Sequence, residues 1–518
     1  MSTIALEIRP ARSGTPLLSV EGLTCRFGEV TANDSVSFLV QHAEIHAVLG
    51  ENGAGKSTLM KLVYGVYRPT EGEMHFEGRK VSIDSPAVAR KLGIGMVFQD
   101  LRLIPAFTVA ENIALGLPLR GPRLDRAAVC RQVTEAAERY GLVADPDALV
   151  RTLSIGERQR VEILKALMAG AKLLILDEPT SVLAPQEVDT LFAGLDKLRS
   201  QGLSVIIITH KLHEARAICD RVTVLRGGRV ILSAVDPASL SDHELVDAMV
   251  GRSVPALPAE RPPTPHDAPA ALELTGVSVK GDRGQFALKD VTLSVHRGEI
   301  LGIAGVSGNG QRELYEVALG LRASVSGSVK IGTTDVSGGS PAAAIDAGAV
   351  GVPEDPVADA VVPGLSVAEH MALGNLKSFR KGLGIDWKAV RASLGSLEGR
   401  AQLRMQGGDR TLAELSGGNI QRVMLTRALA VQAPFVAAAY PSRGLDVATT
   451  RRTQELLLEQ RASGAGVLFI SEDLDELMEL SDRIAVLHGG SVAGIVRPKE
   501  TDRYEIGRLM LGGGGGEQ

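Results

Sequence analysis

Gly50-Glu51-Asn52-Gly53-Ala54-Gly55-Lys56-Ser57 is the stretch that decides the fold of this chain. The apolar run Ile45–Leu49 precedes it and reads as a strand, and a helix is predicted to open near Lys56. Backbone N–H groups in such a glycine-rich loop converge on phosphate, and the positive end of the following helix adds to their pull. In that setting Lys56 reaches the β- and γ-phosphates of a nucleotide and Ser57 ligates Mg²⁺. Gly50, Asn52, Gly53, Gly55 and Thr58 complete the predicted cradle. A glycine-rich turn with no ligand is the bland alternative, and it gives no reason for the lysine and the hydroxyl to follow.

The same stretch occurs twice. Gly305-Val306-Ser307-Gly308-Asn309-Gly310-Gln311-Arg312 keeps the glycines and loses the lysine and the hydroxyl. Lys56 aligns with Gln311 and Gln99 with Glu354, 255 residues apart, while Ser154 aligns with Ser416 and Asp177 with Ala439, 262 apart. A repeat on this scale sets the organisation of the chain. The first domain is placed at 1–254, a proline-rich join at 255–270, the second domain at 271–511 and a glycine-rich tail at 512–518. The join holds Pro255, Pro258, Pro262, Pro263, Pro265 and Pro269, a density that favours an extended spacer. The tail is predicted to be disordered. Short apolar runs recur in both halves: Ile45–Leu49, Leu173–Leu176 and Val205–Ile208, then Ile300–Ala304, Phe435–Ala439 and Val467–Ile470. They read as strands buried on both faces of a parallel sheet, and between them Val161–Met168 and Thr453–Glu459 have helical spacing. Each half is therefore predicted to be α/β.

Composition narrows the function. The chain has 518 residues, a net charge of −5 and no basic stripe, which argues against a nucleic-acid partner. Cys25, Cys130 and Cys219 are scattered and odd in number, as in a reducing compartment without a disulfide frame or zinc site. No window approaches ~20 uninterrupted apolar residues, so the chain is not expected to cross a bilayer.

Leu173-Leu174-Ile175-Leu176-Asp177-Glu178 is an apolar strand ending in two carboxylates. Asp177 suits a Mg²⁺ partner and Glu178 the polarisation of an attacking water. Two acids after a strand also suit a helix start, but here they accompany a complete phosphate loop. Gln99 and His210 each end an apolar run, Met96-Val97-Phe98 and Ile206-Ile207-Ile208-Thr209, and draw their meaning from the set they complete.

That set, with Leu415-Ser416-Gly417-Gly418-Asn419 at the start of a predicted helix, resembles the ABC ATPases over nearly the whole chain. The resemblance implies two tandem P-loop ATPase domains, each with a mainly parallel core sheet, an antiparallel β portion and a helical subdomain. It also implies ATP held between the phosphate loop of one half and the signature motif of the other. Phe27 would then stack on adenine. Gln99 would sense Mg²⁺ and the attacking water, and His210 would contact the γ-phosphate. Ser416, Gly417, Gly418 and Asp446 would complete the site from the second half. The opposite site would rest on Gln311, Arg312, Ala439, Tyr440 and Glu472, with Asp282 at the Phe27 position and Ala184 at the Asp446 position. Without the lysine and the metal ligands a triphosphate's charge is left uncompensated, so that site is expected not to hydrolyse ATP.

Within these ATPases the chain most resembles fused subunits of bacterial importers for nucleosides and simple sugars. GENGAGKSTLMKL at 50–62, DEPTSVLAPQE at 177–187 and ILGIAGVSGNGQ at 300–311 carry that likeness, and VLAPQE tilts it toward the nucleoside branch. The resemblance implies two integral-membrane permease subunits, an extracytoplasmic solute-binding protein and a peripheral place on the cytoplasmic face of the membrane. Leu101, Leu103, Ile104, Phe107 and Val109 are open to two readings, core of a helical subdomain or lining of a permease-docking groove. A tandem ATPase acting on ribosomes is the rival class, and the absence of a basic stripe speaks against it.

Overall fold

The computed structural model describes residues 14–28, 30–117, 125–181, 183–251, 257, 268–374, 376, 378–405 and 407–512. Most of the proline-rich join, including Pro255, Pro258, Pro262, Pro263 and Pro265, lies outside them, as does the tail from Gly513 to Gln518. The chain divides into two compact units whose main break falls between Val254 and Pro255.

The first unit is built on a six-stranded sheet. Its spatial order is Arg229–Val235, Arg221–Arg226, Ile45–Leu49, Ser204–Thr209, Leu173–Asp177 and Ile94–Val97. The last five strands are parallel, and only Arg229–Val235 runs against its neighbour. Parallel neighbours need long crossovers, which the helices Ile155–Met168 and Pro185–Ser200 supply. Both sheet faces are covered, which is why the strands read as unbroken apolar runs rather than alternating ones. Along Leu173–Asp177, Leu174 and Leu176 enter one core while Leu173 and Ile175 enter the other, and all four are fully buried. Each such side chain withdrawn from water contributes roughly 1.5–3 kcal/mol.

One core is shared with the helices Val109–Ala114, Arg126–Tyr140 and Ile155–Met168 through Val109, Ile113, Val133, Val161 and Leu164. The other lies under a four-stranded antiparallel sheet, Val30–Val40, Leu18–Phe27, Glu71–Phe76 and Arg79–Val81. The two readings of the 101–109 segment divide by residue. Val109 is fully buried and Leu101 and Leu103 pack against the core, whereas Ile104 and Phe107 stand 40% and 37% exposed.

The second unit repeats the plan. Its six-stranded sheet runs Ala349–Val352, Phe435–Ala439, Gly466–Ile470, Ile300–Gly305, Arg483–His488 and Ser491–Val496, again parallel except at Ser491–Val496. Phe286–His296, Ala270–Lys280, Ser326–Ile331 and Thr334–Asp335 form its antiparallel sheet. Among the described residues no helix is long and apolar enough to cross a membrane, and the three cysteines are free.

The glycine loops sit where only glycine fits. Gly50 has φ +155°, and a Cβ there would collide with the backbone carbonyl oxygen of Leu225. Gly50→Ala should therefore lower unfolding free energy by about 2 kcal/mol, measurable in a urea titration, because neither the φ nor the contact can relax without moving the sheet end.

Candidate active site

Parallel strands place all their carboxyl ends along one edge of the sheet, and ligands of open α/β sheets bind outside that edge. Leu49 pairs with Thr209, Asp177 with Ile208 and Val97 with Leu176. The phosphate loop, His210, the Asp177–Glu178 pair and Gln99 thus emerge side by side although up to 160 residues separate them.

The loop is held in shape by its own backbone. Ala54 N–H donates to Glu51 O at 3.0 Å, and the helix Lys56–Val63 begins on Gly55, whose φ is +96°. Lys56 is buried, and its ammonium donates to the carbonyls of Gly50 (2.7 Å) and Glu51 (3.0 Å), lying across the mouth of the loop. Burial lowers its pKa, against the attraction of Glu178, Asp177 and Glu51. Ser57 Oγ donates to Asp177 Oδ1 at 3.2 Å. A hydroxyl and a buried carboxylate meeting beside that ammonium are the donors a small divalent cation with bound phosphate takes, so the residues present fit Mg²⁺ and a nucleotide. Burial pushes the Asp177 carboxyl up, partly offset by the Ser57 bond.

Glu178 lies at the centre. Gln99 Nε2 donates to its Oε2 and His210 Nδ1 lies against its Oε1, both at 3.3 Å. Burial disfavours its charge, yet the His210 hydrogen bond and the positive charges of His210, Lys56 and Lys211 prevail and hold its pKa below the ordinary carboxylate value. It is therefore ionised at neutral pH, as a group that takes a proton from water needs to be. Its φ is +48°, a left-handed conformation that costs a non-glycine residue about 1 kcal/mol. The turn is anchored by Glu178 N–H donating to Ile208 O at 3.0 Å.

Three contributors carried no signal in the sequence. Tyr67 meets Phe27 edge to face at 5.1 Å, so the exposed Phe27 ring is half of an aromatic pair. Asn33 is buried and donates from Nδ2 to Gly55 O at 3.2 Å. Glu214 is buried beneath the strand ends, where it accepts from Thr180 and, at 2.9 Å, from Thr209. These residues acquire roles only through contacts distant in sequence.

The second unit keeps the frame and replaces the chemistry. Gln311 occupies the Lys56 place, buried, with Nε2 donating to Val306 O at 3.1 Å, a neutral amide where the first unit has a cation. Tyr440 repeats the Glu178 backbone, with φ +47° and its N–H donating to Ile470 O at 2.8 Å. Arg312 stands at the Ser57 place and pairs with Glu316 at 2.9 Å, while Ala439 offers no metal ligand. Where Phe27 meets Tyr67, the second unit has Asp282 paired with Arg322 at 2.7 Å. These residues do not fit a Mg²⁺–nucleotide.

The signature segments differ in the opposite sense. Ser154 caps the helix Ile155–Met168, its Oγ accepting from Glu157 N–H at 3.2 Å while Glu157 accepts from Ser154 N–H at 2.7 Å. That carboxylate compensates the helix's positive end. Asn419 replaces it in the second unit, where Ser416 is exposed and makes no side-chain capping bond, so the helix Gly417–Leu429 begins with no carboxylate at its positive end. Asp446 caps the helix Val447–Ala462, accepting from Thr449 N–H at 2.8 Å and from Arg422 at 2.6 Å.

The profile of the ABC transporter family matches residues 33–181 and 288–438. The chain belongs to that family. It carries two ABC ATPase domains and is an ATP-binding, ATP-hydrolysing protein of the ABC type. A nucleoside import ATP-binding protein, NupA, of Lactococcus lactis is 42% identical, with 95% of this chain and 97% of that protein covered. A glucose import ATP-binding protein, TsgD13, of Haloferax volcanii is 41% identical over 96% of each. A guanosine import ATP-binding protein, NupO, of Bacillus subtilis is 41% identical over 94% of this chain and 95% of its own length.

Glu214 gives the site its test. Glu214→Ala leaves two hydroxyls without their acceptor, which costs about 1–3 kcal/mol, and should reduce kcat for ATP more than nucleotide affinity. Thermal unfolding together with steady-state ATPase assays checks both effects.

Proposed function

We propose that this chain is the ATPase subunit of an importer for nucleosides or simple sugars, the nucleoside class being favoured. One observation carries the reading: Lys56, Ser57, Asp177, Glu178, Gln99 and His210 meet in the first unit and have no equivalent set in the second, in a chain that matches import ATP-binding proteins along nearly its whole length. Lys56 and the loop N–H groups hold the β- and γ-phosphates of ATP. Ser57 and Asp177, with Gln99, hold Mg²⁺, which supplies positive charge to the phosphates. Glu178 orients a water and takes its proton as the oxygen attacks the γ-phosphorus and the bond to the β-phosphate breaks. His210 steadies Glu178 and faces the γ-phosphate, and Phe27 stacks on the base. Ser416, Gly417, Gly418 and Asp446 complete the site when ATP is bound, which the absence of an acidic residue from the first turn of the Gly417–Leu429 helix favours.

The partners are two integral-membrane permeases, supplied with solute by a binding protein outside the membrane, and the chain works peripherally on the cytoplasmic face. Ile104 and Phe107, exposed beside Gln99, supply apolar surface for the permease. The nucleoside reading rests on the VLAPQE segment and on the names of the first and third relatives above.

The test is a set of variants assayed for ATP turnover with the permeases present. Glu178→Gln should cut kcat by about a hundredfold or more while ATP still binds. Gln311→Ala and Tyr440→Ala should stay within about threefold of wild type, far from the roughly hundredfold loss that removing a catalytic donor brings. A bulky residue at Ser416 should impair turnover, and normal turnover there would sink the composite site. Titrating the partner binding protein with nucleosides and with pentoses decides the solute class.

A further inference from the structure

No main-chain bond fixes Gln99. Beyond the strand Ile94–Val97 the backbone from Gln99 to Leu103 makes no hydrogen bond among the described residues. Side chains hold this stretch instead. The Phe98 ring, partly buried against the core, meets the Tyr64 ring edge to face, with centroids 6.0 Å apart and planes at 75°. The Arg102 guanidinium lies over the same Phe98 ring, 3.8 Å from its centroid. No described carboxylate pairs with Arg102, so the ring is its anchor. Tyr64 is buried at the end of the helix Lys56–Val63, its N–H donating to Met60 O at 2.8 Å. The stack therefore ties the stretch around Gln99 to the helix that carries Lys56.

The second unit lacks all three members. At the offset of 255 residues Tyr64, Phe98 and Arg102 align with Leu319, Pro353 and Val357. Leu319 likewise ends a helix, Gln311–Ala318, and Pro353 likewise follows a strand, Ala349–Val352, so the positions correspond. The stretch beyond Glu354 is held in another way. It forms the short helix Pro356–Ala360, and Asp355 caps it by accepting from the N–H groups of Val357 and Ala358, both at 3.0 Å. An edge-to-face ring pair with a guanidinium over one ring fixes orientation without any backbone bond. That device stands only in the unit where a glutamine meets a carboxylate beside a phosphate loop.

We infer that Arg102 is a positioning residue for ATP hydrolysis: it clamps Phe98 against Tyr64 and so fixes the backbone from which Gln99 Nε2 reaches Glu178 Oε2. That contact is 3.3 Å long and Gln99 is exposed, so its side chain swings away once the backbone is free. Arg102 acts through Gln99 and touches neither the nucleotide nor the metal. This role rests on Glu178 and Gln99 acting as proposed above. Loosening the clamp slows the chemical step and leaves ATP on its loop, because Lys56, Ser57 and the loop N–H groups are untouched.

ATP turnover by the purified complex of the full-length chain with its permeases tests it. Arg102→Ala should lower kcat about two- to fivefold, the scale of one exposed cation–π contact, with KM for ATP held within about twofold. Phe98→Leu, which removes the ring that both partners use, should lower kcat at least as much. In a Gln99→Ala background Arg102→Ala should cost nothing more, because residues that act through one another are non-additive. A permease contact is the rival role for an exposed residue in this stretch, and its loss would add to that of Gln99→Ala. Arg102 is exposed, so thermal unfolding of Arg102→Ala should match wild type. Wild-type kcat in Arg102→Ala or Phe98→Leu, or the full Arg102→Ala loss on top of Gln99→Ala, overturns the positioning role. Wild-type turnover in Glu178→Gln or Gln99→Ala would instead show that the catalytic reading itself has failed, and the role of Arg102 falls with it.

Discussion

The parallel register of the central strands is the constraint on which the catalytic geometry rests. Because Leu49, Thr209, Leu176 and Val97 reach the same edge, residues from four distant segments share one small region. Nothing local would bring Gln99 within 3.3 Å of Glu178. The sheet does so by burying an apolar residue on each face at nearly every strand position, and the polar groups of the candidate site begin where the apolar run ends.

The second unit separates architecture from chemistry. Tyr440 adopts the same left-handed turn as Glu178 and makes the same backbone bond to the neighbouring strand, yet carries a phenol in place of the carboxylate. The strained turn is thus imposed by the sheet end and the following helix, not by the needs of hydrolysis. Likewise the glycines of Gly305–Gly310 keep their positive φ values at Gly308 and Gly310 with Gln311 beneath them. Changing the chemistry took side chains only: an amide for an ammonium, an ion pair for an aromatic pair and an alanine for a metal ligand.

Helix ends were modified with equal economy. Glu157 brings a carboxylate to the start of its helix, whereas Asn419 brings none to the equivalent start, so one substitution leaves only the second helix's positive end without a neighbouring negative charge.

By itself the sequence determined the strand runs, the two phosphate loops and the membership of Lys56, Ser57, Asp177 and Glu178 in one site, because apolar periodicity and loop chemistry are local properties of the chain. It also located the helix starting beside Ser416. Only the tertiary structure decided that Tyr67 joins Phe27, that Asn33 and Glu214 brace the loop and the strand ends, and that the 101–109 segment divides between core and surface. Those facts depend on contacts between residues far apart in sequence, and the energy of such a contact is set by burial and geometry, to which no spacing along a single chain gives access.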